Sequence, residues 1–187
     1  GKLDLEQVPF DVQYLLEDVS AGFALQAHRK GLEFINDAVP PQVRSCKGDP
    51  GRLRQILVNL LGNAIKFTHE GEVSLTVELV NEQDLPALGE GRVNLRFLVR
   101  DTGIGIPQDK LDTIFESFTQ ADGSTTRKYG GTGLGTTIAR EFVHLMGGEI
   151  GVQSRQGEGS LFWFTIPLVL QANRSDGVQA EDLVLHG

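Results

Sequence analysis

Apolar and polar positions alternate along this chain with two periods, and they divide it into helices and strands. Over residues 52–68, Leu53, Ile56, Leu57, Leu60, Ala64 and Phe67 recur every three or four residues, which predicts an amphipathic helix. A polar stripe of Gln55, Asn59, Asn63 and Lys66 runs beside them, and its steps of four and three set two amides and an ammonium on one face. Asp49-Pro50, a cap followed by an N1 proline, predicts where the helix starts. A second helix is predicted from Asp11, as N-cap, to about Lys30, with Val12, Leu15, Leu16, Val19, Phe23 and Ala27 on one face. Residues 134–146 read as a third helix and 107–115 as a short one. Strands are predicted over 3–8, where Pro9 ends the run, and over 32–35, 43–46, 73–80, 93–99, 148–154 and 160–168.

Residues 73–80 and 93–99, joined by a polar loop over 81–91, form a hairpin and so pair antiparallel. Strands and helices do not alternate strictly. The expected class is therefore α+β, a two-layer α/β sandwich rather than a doubly wound sheet. A segment rich in Ser, Thr, Gly and charge, 119–131, is long for a compact domain and reads as a lid or binding loop. Past Gln171 the composition turns polar. The expected organisation is one domain over 1–170 and a tail or linker over 171–187.

Composition narrows the partners. The 187 residues are 40% hydrophobic and 22% charged, as in ordinary globular domains. A net charge of −8 argues against a nucleic-acid surface but leaves room for a small anionic ligand held by local positive groups. Cys46 is the only cysteine, so no internal disulfide can form. The longest apolar run, 161–170, is too short to span a bilayer, and no direct membrane contact is expected. The N-terminus has no signal-peptide pattern and opens inside a predicted strand, as a piece cut from a longer protein would.

The polar stripe has two readings. One is a solvated helix face. The other is a wall facing a ligand, because amide oxygens suit Mg²⁺ bound together with phosphates and water, and Lys66 supplies a point charge for phosphate. The stripe leaves both open, so the glycine-rich stretches matter. Asp101-Thr102-Gly103-Ile104-Gly105-Ile106-Pro107 lies where a strand gives way to a helix. Its glycines fit a tight turn, and Asp101 is either a turn residue or an acceptor for the exocyclic amine of a base. It lacks the third glycine of a dinucleotide fingerprint. Gly130-Gly131-Thr132-Gly133-Leu134-Gly135 opens a helix, where bare backbone amides and the helix dipole favour an anion. It is not a P-loop, since no Lys-Ser/Thr pair follows. Arg127 and Lys128, just upstream, are either solvated loop charges or positive charge for phosphates. Gly157-Glu158-Gly159-Ser160 alone would be a plain hairpin turn.

Taken together, in this order, these stretches resemble the ATP-binding catalytic domain of sensor histidine kinases. That domain belongs to the Bergerat-fold superfamily, which also contains gyrase, Hsp90 and MutL. Residues 59–67 look like the family's N box. Residues 101–105 resemble its first glycine box, Phe115-Glu-Ser-Phe118 its F box, 131–135 its second glycine box and 157–160 its third. The resemblance covers roughly residues 2–168. It implies a five-stranded mixed sheet with three helices on one face, and ATP with Mg²⁺ as cofactors. It also implies roles: Asn63 as the metal ligand, Asn59 one turn away supporting the metal and its waters, Lys66 on the phosphates and Phe67 beside the base. Asp101 would read the adenine amine. Gly103 and Gly105 would let the backbone approach, with Ile106 against the nucleotide. Thr132, Gly133, Leu134 and Gly135 would close over the phosphates with Arg127 and Lys128 nearby, and Ser160 would complete the third box.

The superfamily's ATPases carry a Glu four residues before the metal-binding Asn, as the base for water. Here that position is Asn59, which cannot take a proton at neutral pH. The resemblance therefore implies a site that keeps ATP for transfer, with catalytic roles for Asn59, Asn63 and Lys66. The acceptor histidine would stand on a separate dimerisation domain, since His28, His69, His144 and His186 read as structural or surface residues. The alternative is a nucleotide-binding regulatory module without transfer. Residues 133–140 look most like bacterial hybrid sensor kinases, including those that sense diffusible fatty-acid signals. This implies a cytoplasmic domain of an inner-membrane-anchored kinase, with a receiver domain beyond the tail. Thr136-Thr137, where many relatives are apolar, and Ser160, where Thr is commoner, are mild departures.

Overall fold

The structure, a computed structural model, describes residues 4–80, 91–116 and 134–171. In chain order it contains β1 (Val8–Asp11), α1 (Val12–Arg29), β2 (Glu33–Asn36), a 3₁₀ turn (Pro41–Val43), β3 (Ser45–Gly48) and α2 (Pro50–Lys66). Then follow β4 (Glu72–Leu79), β5 (Gly91–Asp101), α3 (Gln108–Leu111), α4 (Leu134–Leu145), β6 (Glu149–Arg155) and β7 (Gly159–Leu170).

The strands form one mixed seven-stranded sheet in the order β1-β3-β7-β5-β4-β2, with β6 also paired to β7. Seven strands, as many as the periodicity predicts, replace the five that the resemblance implies, because β7 runs to Leu170, beyond the expected 168. Its last residues pair with β3, which adds the β1–β3 ribbon to the sheet. β2 runs parallel to β4 and the other pairings are antiparallel. The expected hairpin is present, with Leu75 opposite Val99 and Val77 opposite Phe97.

One sheet face carries the core. Val73, Leu75 and Val77 of β4, Val93, Leu95, Phe97 and Val99 of β5, and Phe164, Ile166 and Leu168 of β7 are buried at alternate positions, as a half-covered antiparallel sheet requires. Phe97 stacks on its cross-strand partner Phe164 at 4.8 Å. Over this face lies α2, which buries Leu53, Ile56, Leu57, Leu60 and Ala64 as its pattern predicts. It also buries Leu61 and Ile65, because α1 and α4 pack against it as well. Each fully buried leucine contributes on the order of 2 kcal/mol.

Both long-helix starts follow the sequence. The Asp11 carboxylate accepts from the Tyr14 amide at 3.0 Å, and the Asp49 carboxylate from the Arg52 amide at 3.1 Å. Two expected elements move. The strand expected at 3–8 forms at Val8–Asp11 with Pro9 inside it, which an edge strand tolerates. The strand expected at 43–46 shifts to Ser45–Gly48 after the 3₁₀ turn. The helix expected over 107–115 is shorter. After α3 the chain continues in turns whose amides bond three residues back, Thr113 to Lys110 at 3.2 Å and Glu116 to Thr113 at 3.0 Å. The carbonyls of Ile114 and Phe115 then accept from Thr136 and Arg140 of α4 at 3.1 and 3.3 Å. The expected binding loop at 119–131, the tail over 172–187 and nearly all of the 81–91 loop lie outside the described residues.

Candidate nucleotide site at the seam of α2, α4 and the β5 end

The expected site residues that the structure describes fall into two groups joined by a seam. The first lies where α2 meets α4. Asn59 and Asn63 are half-buried on the α2 face toward Gly135, and the Asn59 amide nitrogen donates to the Gly135 carbonyl at 3.1 Å. A Cβ on Gly135 would stand 3.8 Å from both Asn59 and Asn63, so the start of α4 rests directly on the amide stripe. Among the described residues the Asn63 side chain has no hydrogen-bond partner, and its amide is open to a ligand. One turn on, the exposed Lys66 ammonium lies 5.6 Å from the Phe67 ring centroid. The Lys30 ammonium donates to the Ile65 carbonyl at 2.6 Å and holds the end of α2 that carries Lys66 and Phe67.

The second group surrounds the end of β5. Asp101 is 7% exposed, and its carboxylate accepts from the Gly103 amide at 2.9 Å. Burial pushes its pKa above the ordinary carboxylate value, and the Gly103 and Ser160 amides only partly offset this. No cation pairs with it among the described residues. The glycines here answer to geometry. A Cβ on Gly103 would overlap the Phe67 carbonyl, and one on Gly105, where φ is +72°, would overlap the Arg155 carbonyl. Ile106 packs at the edge of the core.

The seam consists of backbone and hydroxyls. The Ile104 amide donates to the Phe67 carbonyl at 3.2 Å, tying the β5 loop to the end of α2. Thr68, fully buried, caps the same corner by donating to the Ala64 carbonyl at 2.7 Å. Across the loop, Ser154 accepts from the Ile106 amide at 2.7 Å and donates to the Gly159 carbonyl at 2.9 Å. Its one proton is thus spent, so Ser160, 2.8 Å away, is the donor in the bond between the two hydroxyls.

Arg127, Lys128, Thr132 and Gly133 lie outside the described residues, as does Phe118; Leu134 opens α4. Three contributors were given no role in the site from the sequence. Ser154 is a hydroxyl at a core-facing position of β6, a polar residue out of pattern. Thr136 was visible as a departure, and the structure spends its hydroxyl on the Ile114 carbonyl. Gln55 was placed on the stripe without a role, and it donates to Asn59 at 3.0 Å.

These donors fit a magnesium nucleotide. Among the described residues no three His, Cys, Asp or Glu converge on a metal nest. A divalent cation here would take the neutral Asn63 oxygen, with phosphate oxygens and water completing its shell, as suits magnesium. A buried carboxylate lacking a cation, with oxygens aimed at a glycine turn, suits an amine donor.

Known proteins of one family resemble this chain. The family model described as "Histidine kinase-, DNA gyrase B-, and HSP90-like ATPase" matches residues 48–170. The sensor histidine kinase GacS of Pseudomonas protegens is 45% identical over 183 residues, which cover 98% of this chain and 19% of that protein. Hybrid signal transduction histidine kinase K of Dictyostelium discoideum is 42% identical over 173 residues, 90% of this chain and 14% of that protein. The crystal structure of full-length ShkA in complex with AMPPNP superposes with a TM-score of 0.74 at 37% identity, covering 92% of this chain and 33% of that one. This chain thus spans about a fifth or less of the curated relatives named here. It belongs to the histidine kinase-, DNA gyrase B- and HSP90-like ATPase family, as an ATP-binding domain of the sensor histidine kinase kind.

Proposed function

We propose that this chain binds Mg-ATP along the seam between α2 and α4 and donates the γ-phosphoryl group to a histidine on a separate dimerisation domain. The observation that carries transfer over hydrolysis is Asn59. Four residues before Asn63, where a general base would stand, there is an amide whose nitrogen is given to the Gly135 carbonyl. It can neither take a proton from water nor turn freely toward one. Adenine would lie against the β5 end, with its amine on Asp101 and the glycine turn beneath it. The phosphates would run toward Asn63 and Lys66, with Gly135 and the segment carrying Arg127, Lys128, Thr132 and Gly133 around them. Ser160 supports the base side through Ser154.

Asn63 would hold the magnesium, which supplies charge neutralisation on the phosphates. The chain's own part is positioning, which is most of what phosphoryl transfer asks of a protein. In the transfer a histidine ring nitrogen bonds to the γ-phosphorus as the bond to the β,γ-bridging oxygen breaks, and ADP leaves. No helix among the described residues is long and apolar enough to cross a membrane. We place the chain on the cytoplasmic side of a membrane-anchored kinase, with the dimerisation domain and a receiver domain as partners in the same protein.

The test supplies the chain with Mg-ATP and a purified dimerisation domain, and reads acid-labile phosphohistidine. Asn63→Ala is expected to abolish transfer while the melting temperature stays within about 2 °C, a half-exposed substitution being nearly neutral for stability. Unchanged transfer in that variant, or no saturable binding of Mg-ATP by the unmutated chain, overturns the proposal.

A further inference from the structure

We infer that Gln55 and Asn59 form a directed amide relay that docks the first turn of α4 onto α2, with Gln55 as the positioning residue. The direction of the relay follows from chemistry. The Gly135 carbonyl can only accept, so the Asn59 atom 3.1 Å from it must be the amide nitrogen. The Asn59 oxygen then faces the other way, where the Gln55 nitrogen donates to it at 3.0 Å. Gln55 and Asn59 are four residues apart on one helix, the spacing at which side chains meet. The Gly135 carbonyl therefore fixes the direction: an Asn59 amide turned over would set oxygen against oxygen there, and with Asn59 so held its oxygen is left for the Gln55 nitrogen.

The two asparagines of the stripe therefore do different work. The Asn63 side chain is without a hydrogen bond among the described residues and is open to a ligand, whereas the Asn59 side chain is engaged at both ends. On the other flank α4 is held by Thr136 on the Ile114 carbonyl and Arg140 on the Phe115 carbonyl. The relay is the α2 counterpart of those bonds, and it sets how closely the backbone at Gly135 approaches Asn63. Its bearing on nucleotide rests on the function proposed above; the docking itself does not.

The experiment measures amide hydrogen exchange in the 187-residue chain without nucleotide, read at residues 136–139. Gln55→Leu is expected to speed exchange there about fivefold, the size of one neutral hydrogen bond, with the central strands unchanged. Gln55→Glu, which keeps shape and helix propensity but has no donor at neutral pH, is expected to behave the same way. A role through packing alone would not move with that change. Asn59→Asp, which sets a carboxylate oxygen against the Gly135 carbonyl, is expected to speed exchange further. In an Asn59→Ala background, Gln55→Leu is expected to add nothing. Unchanged exchange in Gln55→Leu and Gln55→Glu, or a full Gln55 effect persisting without Asn59, overturns the relay. If exchange responds as described but Mg-ATP does not bind, the relay stands and the nucleotide reading falls.

Discussion

Two buried aspartates, Asp49 at the start of α2 and Asp101 at the end of β5, have nearly the same exposure, 4% and 7%, and pKa shifts of opposite direction. Burial raises the pKa of both. At Asp49 the Glu6 and Arg52 amides and the Arg52 guanidinium more than cancel that, and the carboxyl is held below its usual range. At Asp101 two amides and no cation leave it above. The difference separates a group that completes a structure from one that is left incomplete within it. Asp49 has its partners inside the chain. Asp101 keeps its charge at a cost in stability, which a ligand's amine can offset.

The comparison breaks first at the glycine turn that holds Asp101 in place. Gly105→Ala sets a Cβ into the Arg155 carbonyl at a positive φ. It is expected to cost about 3 kcal/mol in urea unfolding and to weaken Mg-ATP binding, with no charge altered. A variant as stable as the parent would show that the turn can relax without loss. Next comes Asp49→Ala, which removes a helix cap and leaves the poorly exposed Arg52 without its carboxylate. A loss of about 2–3 kcal/mol is expected, with Mg-ATP affinity of the folded chain unchanged by calorimetry. A large fall in affinity would mean that Asp49 is not purely structural.

The smallest effect on stability is the most discriminating. A raised native pKa means that Asp101 contributes fully below the ordinary carboxylate value of about 3.9 and loses that contribution as pH rises through its native value. Asp101→Asn is therefore expected to melt higher than the parent at pH 7, with the gap closing as pH falls toward 4. It should also weaken the preference for ATP over GTP about tenfold. Asp49 has a lowered native pKa, so its contribution is present above the ordinary value and is lost as pH falls through the native one. The melting deficit of Asp49→Ala should accordingly shrink in acid. If the two variants showed the same pH trend, the contrast between the sites would fail.

Much of this was legible beforehand, for local reasons. The α2 start was readable because Asp49 and Pro50 act within one turn of the helix they begin. The apolar row from Leu53 to Ala64 was readable because a helix repeats it. The 73–80 and 93–99 hairpin followed from alternation alone. Gln55 was less legible: its position on the stripe was evident, but its purpose depends on Gly135, eighty residues further on. The shortening of the 107–115 helix also had no local signal, since what the turns serve there is the bonding of Ile114 and Phe115 carbonyls to α4.

The amino-acid order by itself determined where the two long helices α1 and α2 begin, which faces of the helices and strands are apolar, and which residue types line the polar stripe and the glycine turns. Those properties depend on neighbours within a few positions. Tertiary packing alone decided that β3 extends the sheet through the end of β7, that Asp101 is buried with no cation beside it among the described residues, and that Asn59 faces α4 while Asn63 is left open. Each of these outcomes turns on a partner distant along the chain, and a hydrogen bond or a buried charge has no fixed sign until that partner is in place.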